Sequence, residues 1–358
     1  MPHANALLRL AAFVGTHPRN CAPTPHISRA TDAYLDTIGC MILGCDAPVT
    51  KTALAACAPW GTGPATLPAQ SVSLPLPWAA FVGGAAAHAF DLDDYTLVAN
   101  DHPSAVLVPA LLAQAAADLD FTGLDLIDAY LVGLEVIFRL GAAVNMGHYN
   151  MGWHTTSTLD SLGATAAIAR LMRLSVDETT VALSLTTSMG SGYVSQFGTM
   201  AKPLHAGISA KSGIMACALA RAGATASTQV LDGDVSLASV MSPGDIPGFE
   251  HALTGLGETW GLDTFGLGAK LFPSCGYTHR CIDGALELHS RLDAPNPDEI
   301  SSVSLSLPNF HLAILPYGLP DTTEQALFSA PWCAAVALAT GACTIDDFTP
   351  KGLARPEI

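Results

Sequence analysis

Charge is what this sequence has least of. Of its 358 residues only 13% are Asp, Glu, Lys or Arg, against about 25% in an average soluble protein. A surface with so little charge is largely small and apolar, and an oligomer would hide part of it. The charge that is present is mostly negative: Lys+Arg 15 against Asp+Glu 31 leaves −16, with a pI near 4.9. Such a field repels phosphate backbones, which excludes nucleic acid as a partner.

Long apolar runs are missing too, although hydrophobic residues make up 50% of the chain and mean hydropathy is +0.37. A membrane-spanning helix needs about 20 mostly apolar residues in a row. Ala105–Ala117 and Leu162–Leu171 are shorter, and Pro, Gln or Arg interrupts them. Leu7–Val14 is also too short, Arg9 breaks it, and no signal-peptide cleavage pattern follows. The expectation is a protein without a membrane span, located in the cytoplasm.

Paired cysteine spacing is absent as well. The nine cysteines include no CxxC pair and sit mostly in apolar helical contexts. A disulfide framework or a zinc ribbon is therefore not expected, and buried thiols are. GxGxxG, Walker, GxSxG and HExxH patterns are lacking, so nucleotide-binding, serine-hydrolase and zincin chemistry have no support.

What the chain does have is helix. Ala-rich segments of helical period run over Ala6–Gly15, Ser28–Leu43, Ala79–Asp91, Ala105–Asp118, Leu124–Val144, Thr158–Leu174, Val176–Met189 and Ala206–Ala222. Glycine punctuates several of their ends, as helix termini prefer. The texture changes near Gly266. A helix is expected over Thr278–Leu292 and another over Thr323–Ala339, with a period-2 strand at Ile300–Leu307 between them. The fold class that follows is mostly α: an all-α domain over 1–265 and a smaller α+β domain over 266–358. A lone strand lacks a partner, since even two-stranded sheets are marginal.

Because charge is scarce, polar clusters stand out. The first is His88-Ala-Phe-Asp91-Leu-Asp93-Asp94-Tyr95-Thr96, leading to Asp101-His102-Pro103-Ser104. If the helix persists, His88, Asp91 and Tyr95 share one face. Acids at a helix C-terminus oppose its dipole, which suits a site better than a solvated surface. The second cluster is Gly147–Thr158, where His154 and a run of hydroxyl residues precede a helix. Simple capping by Thr155 or Thr156 is the competing role.

The third is Gln196–Gly207, containing Lys202, one of only five lysines. A lysine set against a helix N-terminal dipole is best explained by an anionic ligand. The fourth is Lys270-Leu-Phe-Pro273-Ser-Cys275-Gly-Tyr277-Thr278-His279-Arg280, with cation, hydroxyl and imidazole opening a helix. Imidazoles and lysines at helix starts suit a polyanionic substrate and proton transfer next to a carboxylate.

These clusters, in this order, resemble the MmgE/PrpD family, which includes 2-methylcitrate dehydratase, cis-aconitate decarboxylase and iminodisuccinate epimerase. The stretches that carry the likeness are Asp32–Gly44, Ala85–Pro109, Gly147–Thr158, Gln196–Gly207 and Lys270–Asp283, with Gln325–Cys333 similar to a further helix of the family. The resemblance implies a large helical domain, a smaller α+β lid, a cleft between them, a homodimer, and no metal or other cofactor. Members of the family run on beyond the end of this chain, so it reads as C-terminally shortened with an incomplete lid. Carried over by motif, Asp91, Thr96, His102, His154 and Lys202 match pocket residues of the decarboxylase branch. Lys270 and His279 lie in the lid-side motif, and Tyr317 is aligned with a pocket tyrosine. One extra residue between Asp94 and His102 makes Tyr95 and Thr96 compete for a single position. Cys275 stands where that branch has a histidine.

The resulting expectation is a cofactor-independent lyase, dehydrating a di- or tricarboxylate such as 2-methylcitrate. Lys202, Lys270 and Arg280 hold carboxylates, with Thr96, Tyr95, His279, Cys275 and Tyr317 around the substrate. His102 and His154 exchange protons, in either assignment, and Asp91 orients an imidazole. Epimerisation or racemisation of an imino- or amino-dicarboxylate, decarboxylation, and a non-catalytic remnant are the alternatives.

Overall fold

The computed structural model describes residues 5–68, 72–117, 120–244, 246–356 and 358. The chain forms two compact units. The first comprises residues up to Ala89, Asp93–Tyr193 and Pro203–Ala269; the second comprises Phe90–Leu92, Val194–Lys202 and Lys270 onward.

The first unit is built from α1 (Ala6–Thr16), α2 (Thr24–Gly44), α3 (Pro48–Cys57), α4 (Leu76–Ala87), α5 (Pro103–Ala115), α6 (Gly123–Val144), α7 (Gly147–Asn150), α8 (Thr155–Leu171), α9 (Val176–Thr186) and α10 (Ala201–Arg221), whose first two residues count with the second unit. Three short helices close it: α11 (Leu237–Met241), α12 (Phe249–Ala252) and α13 (Gly261–Phe265). Local chemistry sets many of the boundaries. Thr122 and Asp125 form a capping box at the start of α6, and Ser175 and Glu178 form one at α9.

Helices α6 and α8 form the centre of this unit, with α5 against both. Their close approach requires glycine: a Cβ on Gly133 would lie 2.8 Å from the Gly163 carbonyl oxygen, and one on Gly163 would lie 2.3 Å from Ile137. Every residue of α8 is buried, including Thr155, Thr156, Ser157, Thr158, Ser161 and Thr165. Some of these polar side chains bond to the helix itself, as Ser161 Oγ does to the Ser157 carbonyl at 2.7 Å, and others to neighbouring segments, as Ser157 Oγ does to the Ser191 carbonyl. A two-stranded ladder, β1 (Ala65–Thr66) with β2 (Ser73–Leu74), was not foreseen from the sequence.

In the second unit α14 (His279–Arg291) packs on α17 (Ala330–Thr340). Between them lie α15 (Asn309–Ile314) and α16 (Thr323–Ala326), and α18 (Pro350–Leu353) follows. The helix expected over Thr323–Ala339 is broken at Leu327–Ser329. Ser329 starts a new helix by accepting the Trp332 amide at 3.1 Å, and Pro331 has no amide with which to continue the earlier one. The expected strand Ile300–Leu307 is irregular. Leu305 and Leu307 are half-buried and Ser304 and Ser306 exposed, so the alternation is real, but no strand pairs with it among the described residues. Helix ends elsewhere shift by a few residues, and the expected end at Asp118 lies outside the described residues.

All nine cysteines are free thiols, seven of them buried. No single helix among the described residues is long and apolar enough to cross a membrane.

Candidate active site

The helix expected to carry His88, Asp91 and Tyr95 on one face ends at Ala87 instead. Asp91 has φ +50°, a left-handed conformation that a continuing helix forbids and that Asp tolerates better than most residues. The polar run 88–102 is therefore a folded loop, held by its own side chains and by α8.

Within the first unit, Asp93 is the anchor of this loop. Its carboxylate takes His88 Nδ1 at 2.8 and 2.9 Å, and lies 3.2 Å from His102 Nδ1. His102 Nδ1 is also 3.0 Å from the Asp94 carbonyl oxygen. Burial alone would raise the Asp93 carboxyl, but the two imidazoles hold it well below the usual carboxylate range. Asp94 has the opposite fate. Burial pushes it up to about 8, with the Asp93 charge adding to the rise and the Ser104 hydrogen bonds opposing it. Ser104 links Asp94 onward to the Tyr130 hydroxyl, at 2.7 Å.

Two hydroxyls at the start of α8 fix the end of the loop. Thr155 Oγ1 donates to the Asn100 carbonyl at 2.6 Å, and Thr156 Oγ1 accepts the His102 amide at 3.1 Å. Capping of α8 by these threonines is thereby replaced by a different job: α8 carries no side-chain cap bond at all. His154, just before α8, is buried with its Nδ1 3.0 Å from His205 Nδ1. One of these two nitrogens must donate and the other accept. With ring centroids 4.4 Å apart for His102–His88, 6.3 Å for His88–His154 and 5.2 Å for His154–His205, the imidazoles form a row.

Thr96 is buried and its hydroxyl donates to Asp101, whereas Tyr95 is half-buried and forms a backbone bridge with Gly268. Burial raises Asp101, and both burial and the Asp101 charge raise Asp160 on α8 well above the ordinary range.

The second unit holds the cations. Lys202 Nζ lies 2.7 Å from the Asp91 carboxylate, and Lys270 Nζ bonds both that carboxylate and the Asp91 carbonyl. Lys202 is 3% exposed and Lys270 7%. Lys202 Nζ also sits 5.2 Å over the rings of Phe197 and Phe328. Gly198 has φ +79°, and a Cβ there would fall 2.4 Å from the Tyr317 ring. Tyr317 consequently lies flush against this segment, donating its hydroxyl to the Phe197 carbonyl at 2.7 Å.

The remaining expected residues fall around this triad or outside it. Cys275 is buried, and its thiol is pushed up to about 11 by burial and the Asp91 charge, against the two lysines. That makes it a packing residue rather than a thiolate. His279 is half-buried and lowered by burial and by Lys270, with Nε2 3.1 Å from the Phe272 carbonyl. Arg280 is exposed and lines a separate cavity of about 340 Å³ with Ser304, Ser306 and His311.

The sequence assigns Lys202 and Lys270 to substrate carboxylates and Asp91 to an imidazole, whereas the structure sets both lysines on Asp91 itself. Sequence reasoning gave no special role to Asp93, which looks equivalent to Asp91 and Asp94 in a run of three acids. It also passed over His205, although three residues from Lys202 is a helical spacing that could have drawn attention. On both His88 and His102, Nδ1 faces acceptor oxygens, so each Nδ1 carries a proton and offers a cation no lone pair there.

Residues 8–250 match the family model of the MmgE/PrpD N-terminal domain, and residues 272–358 that of the MmgE/PrpD C-terminal domain. The chain is 31% identical over 297 residues to a cis-aconitate decarboxylase of Mus musculus, covering 80% of this chain and 59% of that protein. It is 31% identical over 345 residues to a cis-aconitate decarboxylase of Homo sapiens, covering 93% and 70% respectively. A cis-aconitate decarboxylase of Aspergillus terreus is 27% identical over 365 residues, covering 94% and 72%. The chain thus spans about three-fifths of the length of the mouse relative.

Proposed function

The chain belongs to the MmgE/PrpD family, and from that premise we propose that it is a lyase acting on a tricarboxylate through carbanion chemistry beside a carboxylate. The observation that carries the reading is the pair of buried ammonium groups, Lys202 and Lys270, on the single carboxylate of Asp91. The two ammonium groups and the carboxylate between them are almost wholly buried. Lysine is almost never buried unless paired. A substrate carboxylate that meets these ammonium groups is polarised where negative charge develops.

The relatives favour decarboxylation of a cis-aconitate-like substrate. In that reaction the C–CO2 bond breaks, and its electron pair passes into the carbon skeleton toward a carboxylate held by the lysines. Delivery of a proton to carbon falls to an imidazole, His102 or His154, as the family resemblance implies. Dehydration of a 2-methylcitrate-like hydroxy acid is the second reading, favoured by Cys275 at a position where the decarboxylase branch carries histidine. There the imidazole removes the proton beside the carboxylate, and hydroxide leaves with a proton from the second imidazole. Both reactions use the same groups, and neither needs a cofactor. A homodimer, as the resemblance implies, completes the proposal.

Proton NMR in D2O with cis-aconitate, citrate, 2-methylcitrate and iminodisuccinate, together with CO2 trapping, tests it. New alkene signals with CO2 release are expected from cis-aconitate, unchanged after dialysis against EDTA. Alkene formation from 2-methylcitrate without CO2 would establish the dehydratase. Exchange of deuterium into substrate without elimination, or four unchanged spectra from a cooperatively folded protein, would overturn the lyase reading.

A further inference from the structure

We propose that Asp93 is the positioning residue that fixes the tautomer and orientation of His102 for proton transfer, and that His88 is the second tie that holds Asp93 in place. The role in turnover rests on the lyase reading; the arrangement itself does not.

His102 Nδ1 faces the Asp93 carboxylate at 3.2 Å and the Asp94 carbonyl at 3.0 Å. Both are acceptors, and neither can donate. In the neutral ring, Nδ1 must then carry the hydrogen and Nε2 the lone pair. A base that must take a proton from carbon is useful only if the lone pair is on a known atom, and this contact puts it on Nε2.

Asp93 in turn has little freedom. Its side chain and that of His88 are wholly buried, and His88 Nδ1 bridges both carboxylate oxygens. The backbone of His102 is tied independently, through its amide to Thr156 Oγ1 at 3.1 Å. Main chain and ring are therefore anchored by different elements, the first by α8 and the second by the 88–94 loop. An anion shared between two imidazoles also divides its pull between them. Loss of His88 leaves the whole carboxylate to His102, and loss of the Asp93 charge leaves none.

That division gives opposite signs for two substitutions, which a merely structural role does not. The other ionisable groups of this unit near the loop include Asp94, Tyr95 and Asp101, Asp36 on α2, Tyr130 on α6, Asp160 and His154 at α8, and His205 on α10. None is altered by the variants below. The experiment is nitrogen-15 NMR of the imidazoles in the full chain over a pH series, with His102 assigned by its loss in His102→Gln. The wild-type ring is expected as the Nδ1–H tautomer. Asp93→Asn, which removes the negative charge beside Nδ1 while the Asp94 carbonyl remains, is expected to lower the His102 pKa by about one unit or more. His88→Phe is expected to raise it, and His88→Asn, which retains a donor toward Asp93, to bring it back toward wild type.

In kinetics the acid limb of kcat/KM moves in the same two directions. In Asp93→Asn kcat falls at least about tenfold while KM changes little. Movement of His102 in the same direction in both variants, or an Nε2–H tautomer in the wild type, would overturn the proposal. Should Asp93→Asn fail to fold, the two His88 variants decide it alone. The NMR titration needs no substrate. An inactive wild type with the expected titrations therefore sinks the lyase reading and leaves the positioning intact, whereas an active enzyme without them does the reverse.

Discussion

Lys202 and Asp91 meet at 2.7 Å with 4% and 2% of their side chains exposed, and the same carboxylate also receives Lys270. The triad concentrates in one place two of the five lysines of a charge-poor chain. Burying an ion pair costs desolvation that its attraction only partly offsets, so such a triad is weak evidence of a stability device. Two ammonium groups brought to one carboxylate are what give it a use.

Lys202→Met follows directly. The substitution keeps the apolar stem between Phe197 and Phe328 and removes only the ammonium, while Asp91 retains Lys270. The protein is expected to unfold cooperatively at a Tm near wild type. Its kcat/KM is expected to fall by roughly 10²–10³, the range for loss of one group that stabilises developing charge. Retained turnover in steady-state assays removes Lys202 from the chemistry.

Asp91→Asn removes the carboxylate that two buried ammonium groups share. Removing one partner of a buried ion pair costs about 3–5 kcal/mol, so Tm falls sharply in buffer. A tricarboxylate supplies the missing negative charge, and it is expected to raise the Tm of the variant more than that of wild type. Thermal scans with and without citrate measure this, and an equal rise in both proteins would mean that substrate carboxylates do not bind at the lysines.

How far the sequence reveals such a site depends on what fixes each residue. Lys202 and Lys270 were legible because a cation in apolar sequence before a helix opposes the dipole unless an anion meets it. The helices were legible because a 3.6-residue period needs no knowledge of the partner that covers it. Asp93 was not legible. Its distinction from Asp91 and Asp94 arises only after the chain turns at Asp91, where a left-handed residue ends the helical geometry that the spacing suggested. The stretch Ile300–Leu307 shows the converse limit: alternation reports which side chains are covered, but a strand also needs a neighbour to bond to.

Gly198→Ala tests the contact that seats Tyr317. The backbone at φ +79° disfavours any side chain, and the new methyl collides with the Tyr317 ring. The two effects together are expected to destabilise by more than about 1 kcal/mol. Tyr317→Phe, which loses only the hydrogen bond to the Phe197 carbonyl, is expected to cost about 1 kcal/mol. In the double variant the ring still clashes, so Gly198→Ala should cost as much in Tyr317→Phe as in wild type. If chemical denaturation shows Gly198→Ala to be neutral in both backgrounds, the close approach is not what holds the tyrosine.

Two buried groups titrate with opposite effects on stability, and their windows differ. Asp94 is raised to about 8 in the fold and is about 3.9 in an unfolded chain. Between those values the folded state binds the extra proton, so this contribution is complete below pH 4 and is lost as the pH rises toward 8. Asp94→Asn cannot titrate, and its stability relative to wild type is expected to improve steadily from pH 5 to pH 8. His148 is lowered to about 4 by burial, between Ser242 and Thr158. From pH 6.5 down to 4 only the unfolded chain gains its proton, so this contribution is full above 6.5 and declines on acidification. His148→Gln should accordingly gain on wild type as the pH falls through that range, by up to about 3 kcal/mol. Urea melts at pH 4.5, 6 and 8 separate the two, because each variant must move against wild type with its own sign. A single common slope for both would mean that neither carboxyl nor imidazole is buried in the folded protein.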